Sequence, residues 1–102
     1  MILKLQNKTF NVYVVKSTYV VDRSLAVLLK DVNTNDTIAV LTVNLHKSLD
    51  FTLDEGYAFV DINNCPWAEQ FILENKLGSY TYFDSPQGYP LYLFNLEKLH
   101  ED

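Results

Sequence analysis

The chain has 102 residues, of which 48% are hydrophobic and 14% aromatic, with three glycines and three prolines. This composition excludes a disordered, collagen-like or low-complexity chain, and the length is that of a single domain covering residues 1–102. The net charge of −5 is uneven, because residues 1–50 hold six Lys/Arg and four Asp (+2) whereas residues 51–102 hold two Lys and nine Asp/Glu (−7). An acidic half repels phosphate, so direct binding to nucleic acid is not expected, and a basic protein is the expected partner.

The first 45 residues alternate apolar and polar side chains in runs rich in valine, which predicts strands. An edge strand is expected at Ile2–Leu5, followed by strands at Phe10–Val21, Leu25–Val32 and Thr37–Leu45. The short polar run Asn33–Asp36 separates the last two and predicts a hairpin turn.

In the second half, the spacing of apolar residues changes from that of a strand to that of a helix after one more strand. His46–Gly56 is a long connection, and Tyr57–Ile62 is the next predicted strand. Apolar residues then recur at helical spacing, which predicts a helix over Pro66–Leu77 that ends at Gly78. Asn64 or Cys65 is the predicted cap, and Asn64 has the better side chain for it.

The last part of the chain returns to strand-like patterns. Ser79–Phe83 and Leu91–Leu96 are predicted strands around a turn-rich segment, and the charged tail 97–102 is expected to fray. The order of elements predicts an α+β fold: a mostly antiparallel sheet of five to seven strands with one helix packed across a face.

Conventional catalytic signatures do not occur in the sequence. There is no phosphate-binding glycine loop, dinucleotide fingerprint, nucleophile elbow or HExxH motif. Cys65 at a helix start could be a reactive thiolate, but it would need a base, and His46 and His100 are the only histidines. Burial as a small apolar residue is the alternative that we favour for Cys65. The chain is therefore predicted not to be an enzyme.

Acidic residues raise the question of a metal. Asp50, Asp54, Glu55 and Asp61 lie within 12 residues, and carboxylates suit Mg²⁺ or Ca²⁺. Asp54, Glu55 and Asp61 are weak candidate ligands, since their spacing matches no known calcium loop. Solvated loop acids are the favoured interpretation, and no cofactor is expected.

The run DINNCPWAEQF at 61–71 has a structural explanation. Asn63 and Asn64 suit a turn and a helix cap, and Pro66 suits a first helical turn. Cys65 and Trp67 are expected to pack the helix against the sheet. Together with Gly78 these are the predicted structural residues.

A surface of acids and exposed tyrosines is the predicted binding site. Seven tyrosines exceed what the core of a small domain accepts, and tyrosine beside acids is typical of protein-recognition surfaces, although cross-strand aromatic pairing is an equal alternative. The candidate partner-binding residues are Asp50, Asp54, Glu55, Glu69, Glu74, Tyr89 and Glu97.

Three segments carry a family resemblance: VLTVNL (40–45), AFVDINNCPWAEQFILENKLG (58–78) and GYPLYLF (88–94). They resemble a family of small domains of unassigned activity that phages, plasmids and conjugative elements of Gram-positive bacteria carry. The resemblance implies an accessory gene of mobile DNA, and such genes often encode inhibitors of host defence.

The sequence hypothesis combines this setting with the charge. The chain is predicted to be a non-enzymatic inhibitor of a host defence nuclease, such as an anti-CRISPR protein that blocks nucleic-acid loading by a type II effector through its acidic surface. The lone cysteine, and the lack of a signal peptide or apolar span, predict the cytoplasm of the bacterial host. The alternatives are a small metal-binding or catalytic domain and a general adaptor of the mobile element.

Overall fold

The computed structural model describes residues 1–45 and 52–102, and alternating residues form strands along most of them. The first half contributes β1 (Ile2–Leu5), β2 (Lys8–Thr18), β3 (Leu25–Asp31), β4 (Thr37–Val40) and β5 (Thr42–Val43). The second half contributes β6 (Tyr57–Val60), α1 (Ala68–Glu74), β7 (Gly78–Asp84), β8 (Pro90–Phe94), a 3-10 turn (Leu96–Lys98) and β9 (His100–Glu101). Every described pairing is antiparallel except that of β2 with β9. The predicted α+β class is confirmed.

The strands are divided between two sheets that share one extended segment. The first sheet has the order β1-β2-β3-β4, with β9 beside β2, and the second has the order β5-β6-β8-β7. Leu41 lies between β4 and β5; its N–H donates to Val27 O, and its carbonyl accepts from Asp61 N, both at 2.8 Å. The segment therefore leaves the first sheet and joins the second at Leu41.

One hydrophobic core lies between the two sheets and the helix. It takes Val14 and Leu29 from the first sheet and Tyr92 from the second. On α1, Phe71 and Ile72 are buried in the same cluster. Deleting such a fully buried side chain costs about 2–5 kcal/mol, so this shared cluster holds the sheets and helix together.

The first long strand is shorter than predicted. It ends at Thr18, and Val20 is 98% exposed in the connection that follows. Tyr19 closes that turn, since its N–H donates to Ser24 O and its carbonyl accepts from Arg23 N. The β-branched residues predicted a strand here, but the turn takes the backbone groups that a ladder would use.

The hairpin turn between β3 and β4 is confirmed. The Asp31 side chain accepts hydrogen bonds from the backbone N–H groups of Asn33 and Thr34, at 2.7 and 3.2 Å. Asn35 adopts φ = 64°, a left-handed conformation that asparagine tolerates.

The helix ends before Gly78, so the prediction that Gly78 is its stop is wrong. Lys76, with φ = 53°, occupies the left-handed position, and its N–H donates to Leu73 O while Leu77 N donates to Ile72 O. These two bonds are the Schellman closure of a helix. Gly78 instead begins β7, where an added Cβ would lie 2.7 Å from Leu93 O.

The charged tail does not fray in the structure. Leu99 is buried in the core, and Val15 and Lys16 of β2 pair in parallel with β9. Lys16 also forms an ion pair with Glu101 at 3.0 Å. One apolar residue among charged neighbours was too weak a signal to predict a strand.

Candidate functional site

The edge strand β7 is interrupted by a bulge. Tyr80 pairs with Tyr92, but the next paired residues are Asp84 and Pro90, so residues 81–83 lie opposite Leu91 alone. Two extra residues are therefore accommodated on β7, and Tyr82 adopts φ = 67°. This conformation is rare and costly for a bulky side chain, and bulges with such residues are frequent beside functional sites.

Thr81 holds the bulge in place. Its hydroxyl donates to Leu91 O across the strands at 2.9 Å and accepts from Phe83 N at 3.3 Å. One side chain thus replaces the backbone bonds that the bulge interrupts. The bulge is a defined turn of the strand and not a frayed end.

The bulge presents two aromatic side chains at the surface. Tyr82 is 88% exposed and Phe83 is 43% exposed. The Phe83 ring lies 6.3 Å from the buried Phe59 ring, centroid to centroid. Large aromatic side chains with this exposure are typical anchors of protein interfaces.

Three tyrosine rings form a row from the core to the surface. The ring centroids of Tyr92 and Tyr80 are 5.6 Å apart, and those of Tyr80 and Tyr82 are 4.9 Å apart. Tyr92 is buried, Tyr80 is half-buried and Tyr82 is exposed. The inner rings thus support the exposed one.

Two carboxylates accept hydrogen bonds from this row. The Tyr92 hydroxyl donates to Glu69 Oε2 at 2.6 Å, and the Tyr80 hydroxyl donates to Asp84 Oδ1 at 2.7 Å. Burial, and then the bond to Glu69, raises the pKa of Tyr92. The bond to Asp84 is the main cause that raises the pKa of Tyr80 to about 12. Both phenols are therefore neutral donors at neutral pH.

Neither Glu69 nor Asp84 forms an ion pair with a Lys or Arg in the described part of the chain. Glu69 Oε1 and Asp84 Oδ2 make no hydrogen bond with the described part of the chain. No Lys or Arg occurs in the sequence from Gly78 to Glu97. We call Glu69, Tyr80, Tyr82, Phe83 and Asp84 the aromatic–acidic surface.

The turn between β7 and β8 joins this surface to the 61–67 loop. Tyr89, a predicted contact residue, is half-buried, and its hydroxyl accepts a hydrogen bond from Asn63 Nδ2 at 2.9 Å. The buried Ser85 closes the turn by accepting from Tyr89 N through its hydroxyl at 3.0 Å. Tyr89 and Asn63 thus fix the position of the turn that follows Asp84.

The prediction that Asn64 caps the helix is wrong. Asn64 donates to the Asp61 carboxylate through its backbone N–H at 3.2 Å and its side-chain amide at 2.8 Å. The side chain that would cap the helix closes the preceding turn instead. The helix starts at Ala68, two residues after Pro66, with Trp67 before it and no side-chain cap.

Cys65 and Trp67 pack as the sequence predicted. Cys65 is buried, its thiol donates to Val40 O at 3.5 Å, and burial followed by the charge of Asp61 raises the pKa of the thiol. A buried thiol with a raised pKa is mostly protonated at neutral pH, which disfavours the thiolate that a reactive cysteine needs. Trp67 is half-buried against the core and meets the Phe71 ring edge-on at 6.1 Å.

The three weak candidates for a metal site are not brought together. Asp54 and Glu55 are exposed before β6, whereas Asp61 is 8% exposed after it. A four-residue strand separates these ends by about 13 Å, and ligands of one ion lie within about 2.6 Å of it. Within residues 1–45 and 52–102, no three His, Cys, Asp or Glu residues are grouped closely enough to hold a metal ion.

The other predicted contact acids lie away from the aromatic–acidic surface. Asp54 and Glu55 line a groove of about 710 Å³ that also contains Lys16 and Arg23, so both signs of charge occur there. Glu97 is exposed in the 3-10 turn after β8. The end of β8 pairs with the start of β6, so Glu97 lies at the same end of the second sheet as Asp54 and Glu55.

The remaining two predicted contact acids occupy other places. Glu74 is exposed at the end of α1 and accepts from Gln70 Nε2 at 2.8 Å. Asp50, like His46, lies outside the described residues. Of the predicted acids, Glu69 alone is shown within the aromatic–acidic surface.

Tyr82 belongs to the C-terminal cluster of tyrosines from which surface residues were expected, but Tyr82, Phe83 and Asp84 were not among the individually predicted contact residues. The available signal was the run YTYFD at 80–84, in which two adjacent aromatics break the strict alternation of a strand. Adjacent aromatics would point to opposite faces of a regular strand. Here they mark the bulge.

The fold and site together define an α+β domain of two antiparallel sheets with an aromatic bulge on one edge strand. Residues 14–102 match the family model described as a domain of unknown function, DUF4313, and the chain belongs to that family. No curated protein and no solved structure matches the chain. Over the described residues, the chain forms no helix with the length and apolar character to cross a membrane.

Proposed function

We propose that this chain is a non-enzymatic protein inhibitor that acts in the cytoplasm of a bacterial host. Its target is a defence nuclease with a positively charged nucleic-acid channel, such as a type II CRISPR effector. The inhibitor covers that channel and prevents nucleic-acid loading. The resemblance to domains carried by mobile elements supplies this setting.

The observation that carries the proposal is the exposed, strained bulge at Tyr82. A left-handed tyrosine costs folding free energy, about 1–2 kcal/mol, and its side chain is 88% exposed. The fold gains little from this side chain, whereas an interface gains an aromatic anchor. Burying such an anchor contributes about 1.5–3 kcal/mol.

The negative charge of this surface favours binding to a positively charged partner. Glu69 and Asp84 flank the tyrosine row, and residues 78–97 contain no Lys or Arg. A positive channel attracts such a surface and repels the basic first half of the chain. Electrostatic steering raises the rate of association, and the buried aromatics slow dissociation.

The outlying acids act at longer range. Asp54, Glu55, Glu74 and Glu97 add to the negative field of the second half without contacting the tyrosine row. Surface charges interact over about 8–10 Å at physiological ionic strength. We therefore assign them steering, with the contact centred on Tyr82 and Phe83.

The test measures DNA cleavage and complex formation. Purified chain is mixed with a representative panel of type II effectors before guide loading, and cleavage and co-elution are recorded. The proposal expects inhibition with at least one effector and no mobility shift of free DNA by the chain alone. Absence of both inhibition and co-elution across the panel overturns it.

A charge-matched pair of variants assigns the effect to the surface. Asp84→Lys reverses a charge beside the tyrosine row, and Asp36→Lys makes the same change in the exposed hairpin turn of the first sheet. Inhibition is expected to fall at least tenfold in the first variant and by less than threefold in the second. Equal losses would show that net charge, and not this surface, decides binding.

A further inference from the structure

The chemistry of the tyrosine row points to one kind of side chain on the partner. Tyr82 offers an exposed ring face, and the Tyr80 ring lies 4.9 Å away at 51° to it. Asp84 is bonded to the Tyr80 hydroxyl, and Glu69 is close enough to that phenol to raise its pKa by charge. An aromatic surface and two carboxylates thus lie within one short stretch of surface.

A guanidinium group matches both features at once. It is planar and weakly hydrated, stacks on aromatic rings, and donates several hydrogen bonds to carboxylates. The ammonium group of lysine is a compact, strongly hydrated charge without a plane to stack. Glu69 Oε1 and Asp84 Oδ2 are acceptors not used within the described part of the chain.

We propose that Tyr80 and Tyr82, with Glu69 and Asp84, form a recognition site for an arginine side chain of a protein partner. The inference rests on the proposed function in assuming a basic protein partner, and it adds a preference for arginine over lysine. The guanidinium stacks on the Tyr82 ring and donates to one of the two carboxylates.

Nucleic acid is the competing occupant of an exposed aromatic surface. Bases stack on tyrosine in single-strand-binding proteins, but those proteins surround the aromatics with a positive groove. Here the groups beside the rings are carboxylates, which repel the phosphate backbone. Charge complementarity therefore favours arginine.

The experiment uses two labelled homopeptides of equal length and charge, one of arginine and one of lysine. Fluorescence anisotropy gives their affinities for the intact chain at low and physiological salt. We expect the arginine peptide to bind about two- to fivefold more tightly, the range given by a cation stacked on an aromatic ring at an exposed site. Equal affinity for the two peptides overturns the inference, as does tighter binding of a single-stranded oligonucleotide.

Variants separate stacking from charge. Tyr82→Leu keeps an apolar side chain but removes the ring, and it should abolish the arginine preference, whereas Tyr82→Phe should retain it. Glu69→Gln should weaken the binding of the arginine peptide severalfold more than Asp36→Asn, which removes the same charge from the first sheet. Retention of the preference in Tyr82→Leu contradicts stacking on this ring.

The peptide experiment and the nuclease experiment fail independently. An arginine preference without inhibition of any effector overturns the proposed inhibitor function and leaves the recognition site in place. Inhibition without an arginine preference overturns the recognition site and leaves the inhibitor function in place. A circular dichroism spectrum equal to that of the parent chain shows that each variant is folded.

Discussion

Replacing Tyr82 with glycine separates the binding role of the bulge from its structural role. Tyr82 has φ = 67° and is 88% exposed, and its ring lies 4.9 Å from the Tyr80 ring, centroid to centroid. Tyr82→Gly relieves a conformational cost of about 1–2 kcal/mol. It loses about 0.5–1.5 kcal/mol of ring contact and about 0.4–1 kcal/mol through the more flexible unfolded chain.

These contributions nearly cancel, so the free energy of unfolding should change by less than about 1 kcal/mol. Tyr92→Ala provides the contrast, because Tyr92 is a fully buried side chain of the core. That variant should lose about 3–5 kcal/mol. Urea denaturation followed by circular dichroism measures both values. The same Tyr82→Gly protein should lose the arginine preference of the parent chain.

A loss of more than about 2 kcal/mol of stability in Tyr82→Gly would contradict a binding role for this side chain. Such a loss would mean that the tyrosine supports the fold and that its exposure is incidental. A second variant, Tyr82→Asn, tests the conformational part alone, since asparagine also tolerates the left-handed region. Its stability should lie close to that of the glycine variant.

Other substitutions and titrations test the remaining structural assignments. Gly78→Ala should destabilise the chain by about 1–3 kcal/mol in urea denaturation, because the added Cβ meets backbone atoms. Lys76→Gly should stabilise it by about 0.5 kcal/mol by relieving a left-handed lysine at the helix end. Cys65 should react with a thiol reagent much more slowly in the folded chain than in urea, since its thiol is buried and its pKa is raised. The Tyr80 phenol, with a pKa raised from 10.0 to about 12, contributes stability that is complete below pH 10 and lost as the pH rises through about 12. Asp84→Asn should lower that pKa in an absorbance titration.

Local patterns predicted the elements of this fold well. The alternation in β2 places Val12 and Val14 in the core, as a half-buried strand requires. The run 33–36 makes the predicted turn, because Asp31 and Asn35 provide bonds and conformations that act within a few residues. These features depend on interactions between residues that are close in sequence, so a short stretch of sequence is enough to predict them.

The parts that could not be predicted depend on distant partners. Leu41 fits an alternating strand, but its transfer between sheets is set by hydrogen bonds to Val27 and Asp61. Gly78 follows the helix closely enough to look like its stop, although its real constraint is the approach of Leu93. Neither neighbour is visible in the local sequence.

The candidate site was also predictable only in the part that depends on composition and local sequence. The abundance of tyrosines and acids was clear from composition, and Glu69 was among the predicted contact residues. The bulge was not predictable, because it arises only when β7 pairs with β8 and three residues of β7 lie opposite one residue of β8. The hydrogen bond from Tyr80 to Asp84 spans this bulge, whereas the bond from Tyr92 to Glu69 joins β8 to α1, which is distant in sequence.

The bulge also affects how the chain meets copies of itself. β7 is the last strand of its sheet, and a regular strand in that position offers free N–H and C=O groups to any passing strand. The displaced residues 81–83 and the left-handed Tyr82 interrupt that row of groups at its middle. A second strand therefore finds no continuous ladder to extend. The chain can expose aromatic side chains to a partner while its sheet edge resists self-association and aggregation.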